Sequence, residues 1–130
     1  MTTVAYLDAS AIVKLVIDEA ESGALYRWSV EVERLVTSRI GVIETVRASA
    51  RRTFDTAHRE RILSDLETVE VSAAIAGTAA ALEPAALKTL DAIHLATALA
   101  LLPDLDAFVT YDDRLAEAAR AIGLPVVRPA

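Results

Sequence analysis

The chain has 130 residues, which fits one domain with one core and leaves too little for two of ordinary size. Hydrophobic residues make up 54% but aromatics only 5%, a composition rich in alanine and short aliphatics that suits helices packed on a small sheet and excludes disorder as the main state. Thirteen Lys plus Arg against nineteen Asp plus Glu leave a net charge of −6, which argues against nucleic-acid binding by bulk positive charge and leaves only a local basic patch. With no cysteine there is no disulfide framework, thiolate zinc site, iron–sulfur cluster or cysteine nucleophile, and two histidines, His58 and His94, make a histidine-rich metal site equally unfavourable.

Val4 to Leu7 is a short apolar run of the buried-strand kind, closed by Asp8-Ala9-Ser10, where Asp or Ser can cap a helix over Ala11 to Ile17. A second helical stretch is expected from about Glu21 to Glu33, a β-compatible segment at Leu35 to Thr37, and a third helix from about Ile40 to Arg52. Thr53-Phe54-Asp55-Thr56 reads as a break, with Asp55 or Thr56 capping a helix that carries Ile62, Leu63 and Leu66 within His58 to Thr68. Val69-Glu70-Val71 alternates as a strand does, and helices are expected on both sides of Glu83-Pro84. Leu87 to Leu102 is the strongest helical pattern. Ala107 to Thr110 is again a buried strand, leading through Asp112-Asp113 into a helix closed by Gly123, with Val126-Val127 as a last strand. Strands alternating with helices imply an α/β sandwich on a central, mostly parallel sheet, because parallel neighbours need crossover helices. Charges interrupt every apolar run before the roughly 18 residues of a membrane span, and the start lacks a signal-peptide pattern, so the expected location is the cytoplasm, without membrane association.

Parallel sheets bind ligands outside the carboxyl ends of their strands, and Asp8 and Asp112 both follow strand candidates directly. Each can also be a plain helix N-cap, worth about 0.5–2 kcal/mol. Asp91 shares a helical stripe with Leu87, Leu90, His94, Leu95 and Ala98 and so faces inward, unless the helix begins there and Asp91 is another cap. Glu44 lies on the third helix, where an ion pair with Arg47 or a contact with Arg51 would account for it equally well. As a set, the four acids sit on four elements that can meet in one concave pocket. Clustered carboxylates repel and require protons or a cation. With oxygen ligands only, Mg²⁺ or Mn²⁺ is favoured over zinc, and such ions serve phosphoryl chemistry. Ser10 and Thr110 are placed to orient ligands by hydrogen bonds. His94, alone in an apolar stripe, reads as a hydrogen-bonded packing residue. Arg47, Arg51 and Arg52, with Arg59, Arg61 and Arg39 nearby, form a basic band that either contacts substrate phosphates or pairs with Glu60, Asp65 and Glu67 as a solvated face.

The segments Leu7-Asp8-Ala9-Ser10-Ala11, Val42-Ile43-Glu44-Thr45-Val46-Arg47, Leu90-Asp91-Ala92-Ile93-His94-Leu95-Ala96 and Thr110-Tyr111-Asp112-Asp113-Arg114-Leu115 together resemble the PIN-domain ribonucleases, and within them the VapC-type toxins of bacterial toxin–antitoxin pairs, across essentially the whole chain. The resemblance implies a PIN-like sandwich over residues 1–130. It implies an acidic quartet of Asp8, Glu44, Asp91 and Asp112 around Mg²⁺ or Mn²⁺, with Asp8 and Asp91 as direct ligands and Ser10 and Thr110 in support; Asp113 competes with Asp112 for the fourth place. It further implies endonucleolytic RNA cleavage by metal-activated water, leaving a 5′-phosphate and a 3′-hydroxyl and inhibiting translation, a homodimer, and silencing by an antitoxin that covers the groove. Two rivals belong to other classes. A phospho-receiver domain needs an acid pair at the first strand end and an acceptor Asp ending a central strand, whereas Asp8 has no acidic neighbour and Asp55 follows a helix. A PIN-like binding module without catalysis keeps the acids only as caps and ion pairs. A phosphatase with an aspartate nucleophile would need an acid where Ser10 stands.

Overall fold

A computed structural model describes residues 2–130. Five parallel strands form one sheet: β1 (Val4–Leu7), β2 (Arg34–Ser38), β3 (Glu67–Val69), β4 (Ala107–Val109) and β5 (Val126–Val127), in the order β3-β2-β1-β4-β5. Among the described residues seven helices connect and flank them: α1 (Ala9–Val16), α2 (Ser22–Ser29), α3 (Arg39–Ser49), α4 (Thr56–Ser64), α5 (Ala73–Ala81), α6 (Thr89–Leu99) and α7 (Asp113–Ala121). The sheet is parallel throughout, as crossover helices between successive strands dictate.

β1 is central and buried along its whole length, so its side chains alternate between two apolar layers. Ala5 and Leu7 join Ile12, Leu15 and Val16 of α1, Leu25 of α2 and Leu66, with Ile62 and Leu63 of α4 packed against them. Val4 and Tyr6 turn the other way, to Leu95 and Ala98 of α6, Phe108 of β4 and Leu115 and Ala119 of α7. Helix α3 touches both α1 and α6 and so closes the carboxyl side of the sheet.

Three strands run straight into capped helices, which fixes that rim. Asp8 caps α1 by accepting from the Ala11 amide, Ser38 caps α3 by accepting from Ile40, and Asp112 caps α7 by accepting from Arg114 and Leu115. Asp55 caps α4 through the His58 amide, which gives it the structural task expected of that break and removes it as a strand-end phospho-acceptor.

Several boundaries depart from the sequence reading. Helix α1 begins at Ala9 because Asp8 is its cap, and α2 ends at Ser29, where successive tight turns through Val32 lead the chain into β2. The third strand is Glu67–Val69: α4 stops at Ser64, and pairing with Val36–Ser38 selects the earlier residues over Val69 to Val71. Helix α6 starts at Thr89 with Lys88 at its cap position, so Asp91 is neither a cap nor deep in a longer helix but lies in the first turn. No helix among the described residues is long and apolar enough to cross a membrane.

Candidate active site at the carboxyl rim of the sheet

Asp8 leaves the end of the central strand with only 4% of its surface exposed. Its Oδ2 accepts from the Thr110 hydroxyl at 2.6 Å, and its Oδ1 accepts from the Ser10 hydroxyl at 2.7 Å and the Ala11 amide at 3.0 Å. The two hydroxyls in turn accept backbone amides of the β4–α7 loop, Ser10 from Tyr111 at 2.8 Å and Thr110 from Asp112 at 3.1 Å. Two small side chains thus lock the ends of neighbouring strands together around one carboxylate. Burial pushes the Asp8 carboxyl above its usual range, against the opposing pull of the Thr110 and Ser10 hydrogen bonds.

Asp91 comes from the first turn of α6, half-buried, and its carboxyl is likewise raised, first by burial and then by the negative charge of Asp112, with Glu44 adding to it. That coupling brings acids of α3, α6 and the α7 cap within electrostatic reach of one another. Asp112 spends Oδ1 on its cap bonds, whereas the neighbouring Asp113 turns away, exposed, to the Arg128 guanidinium at 2.6 Å. Of the two adjacent acids, Asp112 is the one whose charge acts on Asp91.

Glu44 forms neither of the arginine pairs open to it from sequence. Its Oε1 meets Nε2 of His94 at 2.7 Å, and Nδ1 of that buried ring meets the Tyr6 hydroxyl at 2.6 Å. His94 has the hydrogen-bonded packing role expected of it, but the partner it bonds is one of the four acids. No local signal in the sequence marks this pairing, because arginines stand at pairing distance along the helix of Glu44 whereas His94 lies 50 residues away.

Beside the acids runs a groove of about 1010 Å³ between α1 and α3, whose lining includes Ser10, Lys14, Glu44, Arg47, Arg51 and Tyr111. Its walls are largely apolar, and Ile43 and Leu90 stand at its edge with 50% and 46% of their surfaces exposed. Arg47 and Arg51 line it and form no ion pair among the described residues, whereas Arg52 reaches Glu19 at 3.1 Å. Arg39 pairs with Glu70, Arg59 with Glu60, and Lys14 with Glu19 and Glu21, so much of the basic band is neutralised locally. Among the described residues no three His, Asp or Glu side chains converge into a ready-made ligand shell.

A family model described as PIN domain matches residues 5–121. Ribonuclease VapC46 of Mycobacterium tuberculosis is 42% identical over 130 residues, covering 95% of this chain and 96% of that protein. Ribonuclease VapC35 of the same species is 43% identical over 129 residues, with the same shares of each chain covered. Among solved structures, M. tuberculosis VapC20, described as a sarcin-ricin loop cleaving toxin, superposes with a TM-score of 0.73 at 18% identity, over 96% of this chain and 99% of that one. A chain of a toxin–antitoxin complex from Klebsiella pneumoniae gives a TM-score of 0.70 at 23% identity, over 97% and 98%. At those identities the structural likeness concerns the fold.

Proposed function

The chain belongs to the PIN-domain family as a VapC-type ribonuclease, and from that premise we propose that it is the toxin of a toxin–antitoxin pair, an Mg²⁺-dependent endoribonuclease that inhibits translation by cutting RNA. The observation that carries the metal and site assignments is Asp8, a carboxylate buried at the end of the central strand and kept there by three donors, and beside it stands Asp91, whose carboxyl feels the charges of Asp112 and Glu44.

The donor set suits Mg²⁺, or Mn²⁺ in its place. All the candidate ligands are oxygens, and Asp8 retains acceptor capacity on Oδ2, which takes one hydrogen bond where a carboxylate oxygen offers about two lone pairs. Such an ion keeps several waters and binds through one or two carboxylates, so it needs no closed protein shell. Asp8 and Asp91 would hold it, and when bound it supplies the Lewis acidity and lowered water pKa that phosphodiester hydrolysis needs. Ser10 and Thr110 hold the Asp8 carboxylate in one orientation. Asp112 and Glu44 add negative charge that favours a cation over an empty site. Arg47 and Arg51 offer cations along the groove for RNA phosphates; Arg52 belongs to the same stretch but is engaged by Glu19.

The groove also fits the second partner. Its apolar walls and exposed Ile43 and Leu90 suit a protein segment, and Glu44 on its lining suits an Arg or Lys presented by that segment, which is how an antitoxin would silence the enzyme. Assembly as a homodimer and residence in the cytoplasm complete the reading.

The test incubates the purified protein with RNA in Mg²⁺, Mn²⁺ or excess chelator, and maps the new ends. Cleavage that requires the ion, leaves 5′-phosphates and disappears in Asp8→Asn and Asp91→Asn is expected. Mg²⁺ should also raise the melting temperature of the wild type, by about 5 °C at ten times its dissociation constant, and not that of the double variant. Cleavage insensitive to both chelator and substitution would refute the site, and no cleavage of any RNA would leave the chain as a binding module.

A further inference from the structure

The acidic set has an interior support that its family assignment does not supply. Three side chains from three elements form a line: Tyr6 of β1, His94 of α6 and Glu44 of α3. The line has a direction. Tyr6 and His94 are buried, with 0% and 2% of their surfaces exposed, whereas the Glu44 side chain is 30% exposed and lines the groove. The histidine is therefore the inner end of the Glu44 contact and the carboxylate its working end.

The protons can be assigned from the partners. An ionised carboxylate only accepts, so Nε2 carries the hydrogen directed at Glu44, and with a single ring proton Nδ1 then accepts from the Tyr6 hydroxyl. Tyr6 is itself immobile, stacked on Phe108 with centroids 5.3 Å apart and planes 8° from parallel. The approach of α6 to α3 needs Gly41, because a Cβ there would lie 3.3 Å from Cε1 of His94 and collide with the Thr37 hydroxyl. One ring with both nitrogens engaged, seated against a glycine and backed by a fixed phenol, can adopt a single orientation.

We propose that His94 is a positioning residue that, with Tyr6 behind it, holds the Glu44 carboxylate turned into the groove. The proposal rests on the ribonuclease reading for its kinetic consequence but not for its geometry. A histidine that merely fills space would be replaced equally well by any side chain of similar size. A positioning histidine needs a donor at the place of Nε2.

Two near-isosteric replacements separate these cases. Gln in place of His94 can put its amide N–H near the Nε2 position, whereas Asn reaches only as far as Nδ1 and keeps the Tyr6 contact while losing Glu44. With a fluorophore-quenched single-stranded RNA oligonucleotide as substrate, His94→Asn should lower kcat by about 10- to 100-fold with KM little changed, as loss of an outer-shell partner does. His94→Gln should recover most of that loss. In a Glu44→Ala background, His94→Asn should cost less than about twofold more, since the group it positions is already gone. Equal losses in Asn and Gln, or full additivity with Glu44→Ala, would overturn the proposal. An independent readout is the ¹⁵N spectrum of the His94 ring, which should show the Nε2–H tautomer and an Nε2 proton resonance that moves in Glu44→Ala; a proton on Nδ1, or no response to Glu44→Ala, overturns it too. If the wild type cuts no RNA, the ribonuclease reading falls while this spectrum still decides the positioning. Should His94→Asn fail to fold, Tyr6→Phe keeps the stack and removes only the hydroxyl, and a loss of kcat in the same direction is expected; no loss would overturn the proposal.

Discussion

Adding one methyl group at Gly41 should unseat the support of Glu44, and the size of the effect can be worked from the packing. In an open helix, Gly→Ala gains about 1 kcal/mol through helix propensity. At Gly41 the new Cβ would be driven into the Thr37 hydroxyl and to 3.3 Å from His94 Cε1. Overpacking of a filled interior costs about 1–3 kcal/mol. Thr37 has little room to yield, because its hydroxyl donates to the Leu7 carbonyl at 2.7 Å inside the sheet, and losing that bond costs about 0.5–1.5 kcal/mol more. The net expectation is a loss of about 1–3 kcal/mol. With an unfolding entropy of about 2.1 cal/mol/K per residue, this lowers the melting temperature of a chain of this length by roughly 4–11 °C. Gly77 supplies the internal control: it lies in α5 with nothing within 4 Å of the place a methyl group would occupy, so Gly77→Ala should raise the melting temperature by roughly 2–4 °C. Thermal unfolding of the two variants beside the wild type is the assay. Gly41→Ala melting at or above the wild type would show that α3 does not pack this closely on Thr37 of β2 and His94 of α6, and the seat of His94 would go with those contacts.

Stability should fall as pH rises through the elevated range of Asp8 and Asp91. Both carboxyls are raised by burial, so over that window the native state binds more protons than the unfolded chain; their contribution is complete below the ordinary carboxylate range and is lost as they ionise. Urea midpoints followed upward in pH from the ordinary carboxylate range should decline in the wild type and less steeply in Asp8→Asn, where only Asp91 still titrates high, and equal slopes would refute the burial argument. Glu67 and Glu70, held low by Arg34 and Arg39, act only on the acid side of that window. In the cleavage-deficient Asp8→Asn background, Arg47→Ala with Arg51→Ala should make the dependence of RNA affinity on salt shallower by about 0.7 per lost phosphate contact. Arg52→Ala, already paired with Glu19, should change the slope less, and an unaltered slope in the double variant would return Arg47 and Arg51 to the solvated face.

The strand-to-cap pattern made the rim legible. An apolar run followed by Asp8, and another followed by Asp112, announce both a parallel strand and the helix behind it, because a cap is needed wherever a helix starts without preceding hydrogen bonds. Helix α3 was harder to read. It buries Gly41, Thr45 and Ser49 at four-residue spacing and leaves Ile43 half exposed, so hydrophobic periodicity points to the wrong face. The buried face is small and polar because two other helices approach it closely, with Thr45 returning its hydroxyl to the Gly41 carbonyl at 2.8 Å. Such closeness comes from tertiary packing and leaves no mark on local periodicity. For the same reason the partner of Glu44 could not be read along its own helix: arginines lie at the right spacing, but the bond goes to a histidine 50 residues away.

Capping and site-building are one arrangement here and not competing explanations. A cap carboxylate must sit at a strand-to-helix junction and accept from backbone amides, which leaves its remaining lone pairs pointing out from the rim. Asp112 shows this in its plainest form, with Oδ1 bound to the Arg114 and Leu115 amides while its charge raises the Asp91 carboxyl. Asp8 shows it under burial, where the cap bond to Ala11 is joined by two hydroxyls and the carboxyl is raised despite all three. Replacing Asp8 with Asn preserves an oxygen for the cap and for the Ser10 hydroxyl while its amide nitrogen takes the place of the oxygen that accepts from Thr110, so the helix should start where it did, and any loss belongs to the charge together with that one hydrogen bond.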